Sequence, residues 1–146
     1  MKKQRYIFLL LVLAAALALA ACGGSDATEP ADGDTVTVPA EYDGLTNPLA
    51  GSTEAAAAGK DLYAGRCATC HGEAGRGDGA GGAALNPKPT DLTALDAASD
   101  GYIYWRIAEG GMVEPFKSQG SAMPAWKNVL SEEETWQLVT YIRTLE

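Results

Sequence analysis

Cys67 and Cys70 stand three positions apart and His71 follows directly, so the chain carries a Cys-x-x-Cys-His unit. That unit is the attachment signature of a c-type haem. Two thiols at this spacing on a helical turn can add to the two vinyl groups of one haem. The adjacent imidazole then sits under the iron as the proximal ligand. The rival chemistries fail on inventory. A structural zinc site takes about four Cys or His ligands, whereas the whole chain holds three Cys and one His. A thioredoxin-like redox pair needs a βαβ frame, and no strand pattern precedes Cys67. With His71 the only His, no second imidazole can act as acid, base or ligand elsewhere.

A second protein ligand to the iron therefore reduces to Met. Met123 lies in Ser121-Ala122-Met123-Pro124-Ala125-Trp126, where Pro124 stiffens the chain and cannot continue a helix. Such a loop suits the presentation of a sulfur to iron. Met112 lies in the more flexible Gly110-Gly111-Met112-Val113-Glu114, and suits the filling of a packing gap. The expected metal ligands are thus His71 and Met123. Trp105, Trp126, Trp136 and Arg106 are candidates for packing near the haem or for holding its propionates, with Trp136 better suited to the core.

These residues must be positioned by helices. Thr53-Glu54 can start one that runs through the alanines to about Gly65. Its Gly59 costs up to ~1 kcal/mol relative to Ala, so a packing reason is expected there. Ser99 or Asp100 can cap a second helix that holds Tyr102, Ile103, Trp105, Arg106 and Ile107, and Gly110-Gly111 stops it. Ser131 and Glu134 form an S-x-x-E capping box, after which Leu138, Val139, Ile142 and Leu145 make one apolar face. No strand alternation appears, so the domain is expected to be all-α. The Gly-rich stretch 72–82 lacks the G-K-[ST] of a phosphate loop and a preceding strand. It is expected to wrap the haem edge.

Together these features make residues 59–146 resemble a monohaem class I cytochrome c. Gly59 and Tyr63, eight and four residues before Cys67, match the small and aromatic positions of the family's N-terminal helix. Leu138 and Tyr141 match their partners on the C-terminal helix, which implies that the two helices cross. The Met123-Pro124-Ala125-Trp126 run matches bacterial members. The resemblance implies one covalent haem c, held by Cys67, Cys70, His71 and Met123. It also implies that a backbone carbonyl in Leu85-Asn86-Pro87-Lys88-Pro89, assigned to Pro87, accepts the proximal imidazole N–H.

The chain around this domain is not uniform. The 146 residues hold 11 Lys+Arg and 19 Asp+Glu, a formal charge of −8, which argues against nucleic acid as a partner. Residues 1–21 carry Lys2, Lys3 and Arg5, no acid, and the apolar run 6–21. That run is shorter than the ~20 residues of a membrane span and reads as an export signal. Its end, Leu19-Ala20-Ala21-Cys22, resembles a bacterial lipobox, so Cys22 is expected to carry lipid and residues 1–21 to be removed. Acyl chains burying many CH₂ groups at roughly 0.8 kcal/mol each would anchor the domain on the outer face of the membrane. Residues 22–52, acidic and rich in Gly, Pro, Ser and Thr, are expected to form a disordered tether before the domain at 53–146. Within it, the stretch from Val36 to Tyr42 could dock on a neighbouring subunit.

The expected function is electron transfer rather than catalysis. His/Met coordination leaves no iron position free for substrate. The resemblance implies a membrane redox complex as partner: a quinol-oxidising complex, a terminal oxidase or a reaction centre. The small size and tether also resemble the lipid-anchored monohaem subunit of alternative complex III. The alternative is a five-coordinate haem acting as a peroxidase or gas sensor.

Overall fold

The computed structural model describes residues 36–146. The expected signal 1–21, Cys22 and the first part of the expected tether lie outside the described residues. Among the described residues four helices follow one another: α1 Thr53–Arg66, α2 Ala68–His71, α3 Asp100–Glu109 and α4 Glu132–Ile142. Two short 3-10 turns, Ala80–Gly82 and Leu92–Ala94, lie between α2 and α3. No strand occurs among the described residues, and none of their helices is long and apolar enough to cross a membrane.

The helix starts follow local side-chain chemistry. The Ser52 hydroxyl accepts from the Ala55 N–H at 3.1 Å, and the Ser99 hydroxyl accepts from Tyr102 N–H at 3.1 Å. At α4 the capping box forms in full. Glu134 N–H donates to Ser131 Oγ at 3.2 Å, and Ser131 N–H donates back to Glu134 Oε2 at 2.8 Å. Each cap satisfies a helix N–H that has no intrahelical partner. Gly110, at φ +60°, ends α3 in a conformation that an L residue rarely adopts.

Helices α1 and α4 cross at Gly59. A Cβ there would overlap the Gln137 carbonyl and stand 2.9 Å from Tyr141 Cβ. One turn on, the Tyr63 and Tyr141 rings pack with centroids 5.2 Å apart. Around this crossing Tyr63, Ile103, Ile107, Trp136, Leu138 and Val139 form one buried cluster. Burial of such apolar surface is the main force that holds the helices together.

Residues 36–52 depart from the expectation of a disordered tether: they are laid over the domain as a strap. Asn47 is buried, its Nδ2 donates to Thr140 Oγ1 on α4 at 2.9 Å, and its Oδ1 accepts from Leu49 N–H at 2.8 Å. Leu49 packs on the core cluster. Tyr42 donates its hydroxyl to Glu109 Oε1 at the end of α3 at 2.8 Å, and its ring packs 6.1 Å from that of Tyr104. Gly101 leaves no room for a Cβ beside the Tyr42 carbonyl. Composition averaged over 22–52 hid these side chains, because most of the acid and Gly lies before Val36. The docking surface for Tyr42 is this chain's own α3.

Candidate functional site

The last turn of α1 delivers Cys67, whose N–H donates to the Tyr63 carbonyl at 2.8 Å. The single turn α2 then carries Cys70 and His71, whose N–H groups both donate to the Cys67 carbonyl, at 3.1 and 2.9 Å. The motif is therefore one continuous helical turn. Both thiols are free and half-buried. Burial pushes the Cys67 thiol up to about 11, against the opposing pull of Arg66, which keeps it a neutral thiol at ordinary pH.

Cys67, Cys70 and His71 form one wall of a cavity of about 260 Å³, and Met123 lies on the wall of the same cavity. A deeper apolar lobe of about 70 Å³, reaching Tyr63, Ile103 and Leu138, shares Cys67, His71, Arg106 and Met123 with it. Met112 lines neither lobe and is 65% exposed. Trp136 and Trp105 are buried in the protein. Trp126 lines the outer lobe, with the Arg66 guanidinium 5.7 Å from its ring.

His71 Nδ1 lies 3.0 Å from the Thr90 carbonyl oxygen. A carbonyl can only accept, so Nδ1 carries the proton and Nε2 keeps the lone pair that a metal requires. Burial lowers the His71 pKa, partly countered by that hydrogen bond, and holds the ring in the neutral, ligating form. The acceptor is thus Thr90 and not Pro87, which lines the outer lobe without taking this role. The chain passes Pro89 before it meets the imidazole, and Leu92 N–H to Gly75 O at 2.7 Å fixes that approach. Sequence offers little signal for Thr90, because any residue supplies a carbonyl.

The stretch 72–82 also differs from expectation. None of its residues lines either lobe. Gly77 N–H donates to His71 O at 2.8 Å and Gly79 N–H donates to Cys70 O at 3.1 Å, so the stretch buttresses α2 from behind. Gly77, at φ +73°, lies so close to the Pro89 carbonyl that a Cβ would overlap it.

The methionine loop is tied to the end of α3 by backbone. Gly111 N–H donates to Met123 O at 2.7 Å, and Trp126 and Lys127 N–H groups donate to Ala108 O at 3.0 and 3.1 Å. Arg106, on the same helix, stacks its guanidinium 3.3 Å from the Phe116 ring centroid and donates to Gly110 O at 2.5 Å. It faces both lobes, and no carboxylate among the described residues pairs with it. Arg66, Lys88 and Arg106 all line the outer lobe and no Asp or Glu does. In a chain of net charge −8 that arrangement is selective for an anionic group.

The donor set fits a haem c. The paired thiols could form two thioether links, His71 Nε2 and the Met123 sulfur could ligate the iron, the deep lobe is apolar, and the three cations would suit the haem's two carboxylates. The comparisons agree. Residues 56–146 match the family model for cytochrome c. Over 101 residues the chain is 34% identical to the Cbb3-type cytochrome c oxidase subunit FixP of Azorhizobium caulinodans. The match covers 69% of this chain and 31% of that protein, so the chain spans about a third of the relative's length. With thiols, imidazole and family match in agreement, the chain belongs to the cytochrome c family and its cofactor is a covalently attached haem c.

Proposed function

We propose that this chain is a lipid-anchored electron carrier in which His71 and Met123 ligate the haem iron and Cys67 and Cys70 hold the macrocycle. The observation that carries the reading is that His71 and Met123 line the same two lobes of one cavity. The bound haem supplies a one-electron couple between ferric and ferrous iron. With His71 and Met123 as its ligands the iron would make no bond to an outside substrate, and little would rearrange when its charge changes. Arg106 is the cation placed for a haem carboxylate.

Cys22 is the proposed acylation site, on the outer face of a bacterial membrane. Fourteen residue steps separate it from Val36, a span of at most about 50 Å. The strap thus limits the domain's reach to redox partners beside the bilayer. A membrane complex that oxidises quinol or reduces oxygen fits that reach. The relative named as an oxidase subunit supports the second. Contacts of this kind are typically small and transient.

Haem-loaded protein tests the coordination. Met123→Ala is expected to abolish the sulfur-to-iron band of the ferric protein, whereas Met112→Ala keeps it. Rapid carbon monoxide binding by the native ferrous protein would overturn the carrier reading. Cys22→Ser is expected to move the protein out of the membrane fraction. Co-purification from membranes then identifies the complex.

A further inference from the structure

The strap meets the site through Glu109. Both Glu109 carboxylate oxygens accept from Lys127 Nζ, at 2.9 and 2.8 Å, and Oε1 also accepts from the Tyr42 hydroxyl at 2.8 Å. Lys127 closes the methionine loop, four residues after Met123, and Glu109 is the last residue of α3. The loop's backbone bonds to Ala108 and Gly111 flank this ion pair on the same helix end. Tyr42 is the outermost member of the trio, and the strap holds it at two points. Its amide donates to Pro39 O at 2.8 Å, and Asn47 fastens the next turn to α4.

An exposed ion pair such as Lys127 with Glu109 contributes little by itself. Here the carboxylate is only 16% exposed, and its third hydrogen bond comes from a phenol fixed by separate contacts. A charge-assisted bond of this kind restricts the carboxylate to one position. The lysine, and the loop it ends, are then held with it.

We propose that Tyr42 and Glu109 are positioning residues for the axial ligand: the strap locks the methionine loop onto the end of α3 and so keeps the Met123 sulfur on the iron. The inference rests on Met123 as the ligand. An outside ligand such as imidazole can reach ferric iron only in molecules whose loop has swung away. Its apparent affinity therefore scales with the open fraction.

The experiment is imidazole titration of the ferric, haem-loaded full chain. Tyr42→Phe and Glu109→Gln are each expected to raise the apparent affinity several-fold, up to about tenfold, the net worth of one ordinary intramolecular hydrogen bond. Ser131→Ala, which removes the α4 cap, is the control for general destabilisation and is expected to leave the affinity unchanged. Unchanged affinity in Tyr42→Phe and Glu109→Gln overturns the proposal. An equal rise in Ser131→Ala overturns it too, since the effect would then follow global stability. Retention of the sulfur-to-iron band in Met123→Ala defeats the ligand assignment instead, and is read independently of imidazole.

Discussion

His71 Nδ1 and the Thr90 carbonyl oxygen lie 3.0 Å apart across nineteen positions of sequence, and the glycine-rich stretch behind α2 holds them there. A carbonyl acceptor makes the imidazole a better donor to iron and favours the ferric state. Gly77→Ala places a methyl against the Pro89 carbonyl and strains a φ of +73°. The strain costs about 1–2 kcal/mol, and the displaced Thr90 carbonyl weakens its hold on Nδ1. Potentiometric titration is expected to show a higher reduction potential than in the parent. A drop in melting temperature with an unmoved potential would show that the Thr90 carbonyl does not tune the iron.

Gly59 and Gly65 lie on the same helix and make opposite predictions. At Gly65 a Cβ meets open space, so Gly65→Ala is expected to stabilise by up to ~1 kcal/mol through helix propensity. At Gly59 the same gain is opposed by overlap with the Gln137 carbonyl, a main-chain atom that cannot swing aside. Overpacking of this kind costs about 1–3 kcal/mol, so Gly59→Ala is expected to be the less stable variant in denaturant melts. Equal stabilisation by both would show that the α1–α4 crossing is looser than the packing indicates.

What could be read in advance was the chemistry carried by neighbours in sequence. Cys67, Cys70 and His71 form a motif because one helical turn joins them. The Ser99 and Ser131 caps bind N–H groups three residues on. Met123 could be separated from Met112 as the methionine on the cavity wall because Pro124 marks a loop locally. Thr90 was not legible, since its part is played by a backbone oxygen whose place depends on the packing of 72–82. The strap was hidden for a related reason. Its few anchoring side chains, Tyr42, Asn47 and Leu49, are scattered through residues whose average composition argues for disorder. Their partners Glu109 and Thr140 are 67 and 93 positions away.

Arg106 faces the haem cavity without a carboxylate partner among the described residues. A fixed cation there would favour the ferrous state, which carries less positive charge, and would suit a haem carboxylate. Arg106→Gln is expected to lower the reduction potential. Arg106→Lys keeps the charge but loses the fork and the stacking on Phe116, so its potential is expected to fall less. Equal falls in the two variants would assign the effect to lost packing on Phe116 and not to charge.

Tyr42 makes the stability of the strap sensitive to alkali. Burial raises its pKa from about 10 to about 12, and the hydrogen bond to Glu109 and the charge of Glu109 add to the rise. The folded protein thus holds the phenolic proton more tightly than the unfolded chain does. The contribution is complete below the unfolded value near 10 and is lost as pH climbs through 10 towards 12. Burial also raises Tyr63 and Tyr104, so alkaline destabilisation of the parent alone does not isolate Tyr42. The difference between parent and Tyr42→Phe does, because the other tyrosines are common to both. That difference in melting temperature is expected to be flat up to about pH 9 and to shrink between about 10 and 12. A difference that stays constant through that window would mean that the Tyr42 hydroxyl adds nothing to the clamp on Glu109.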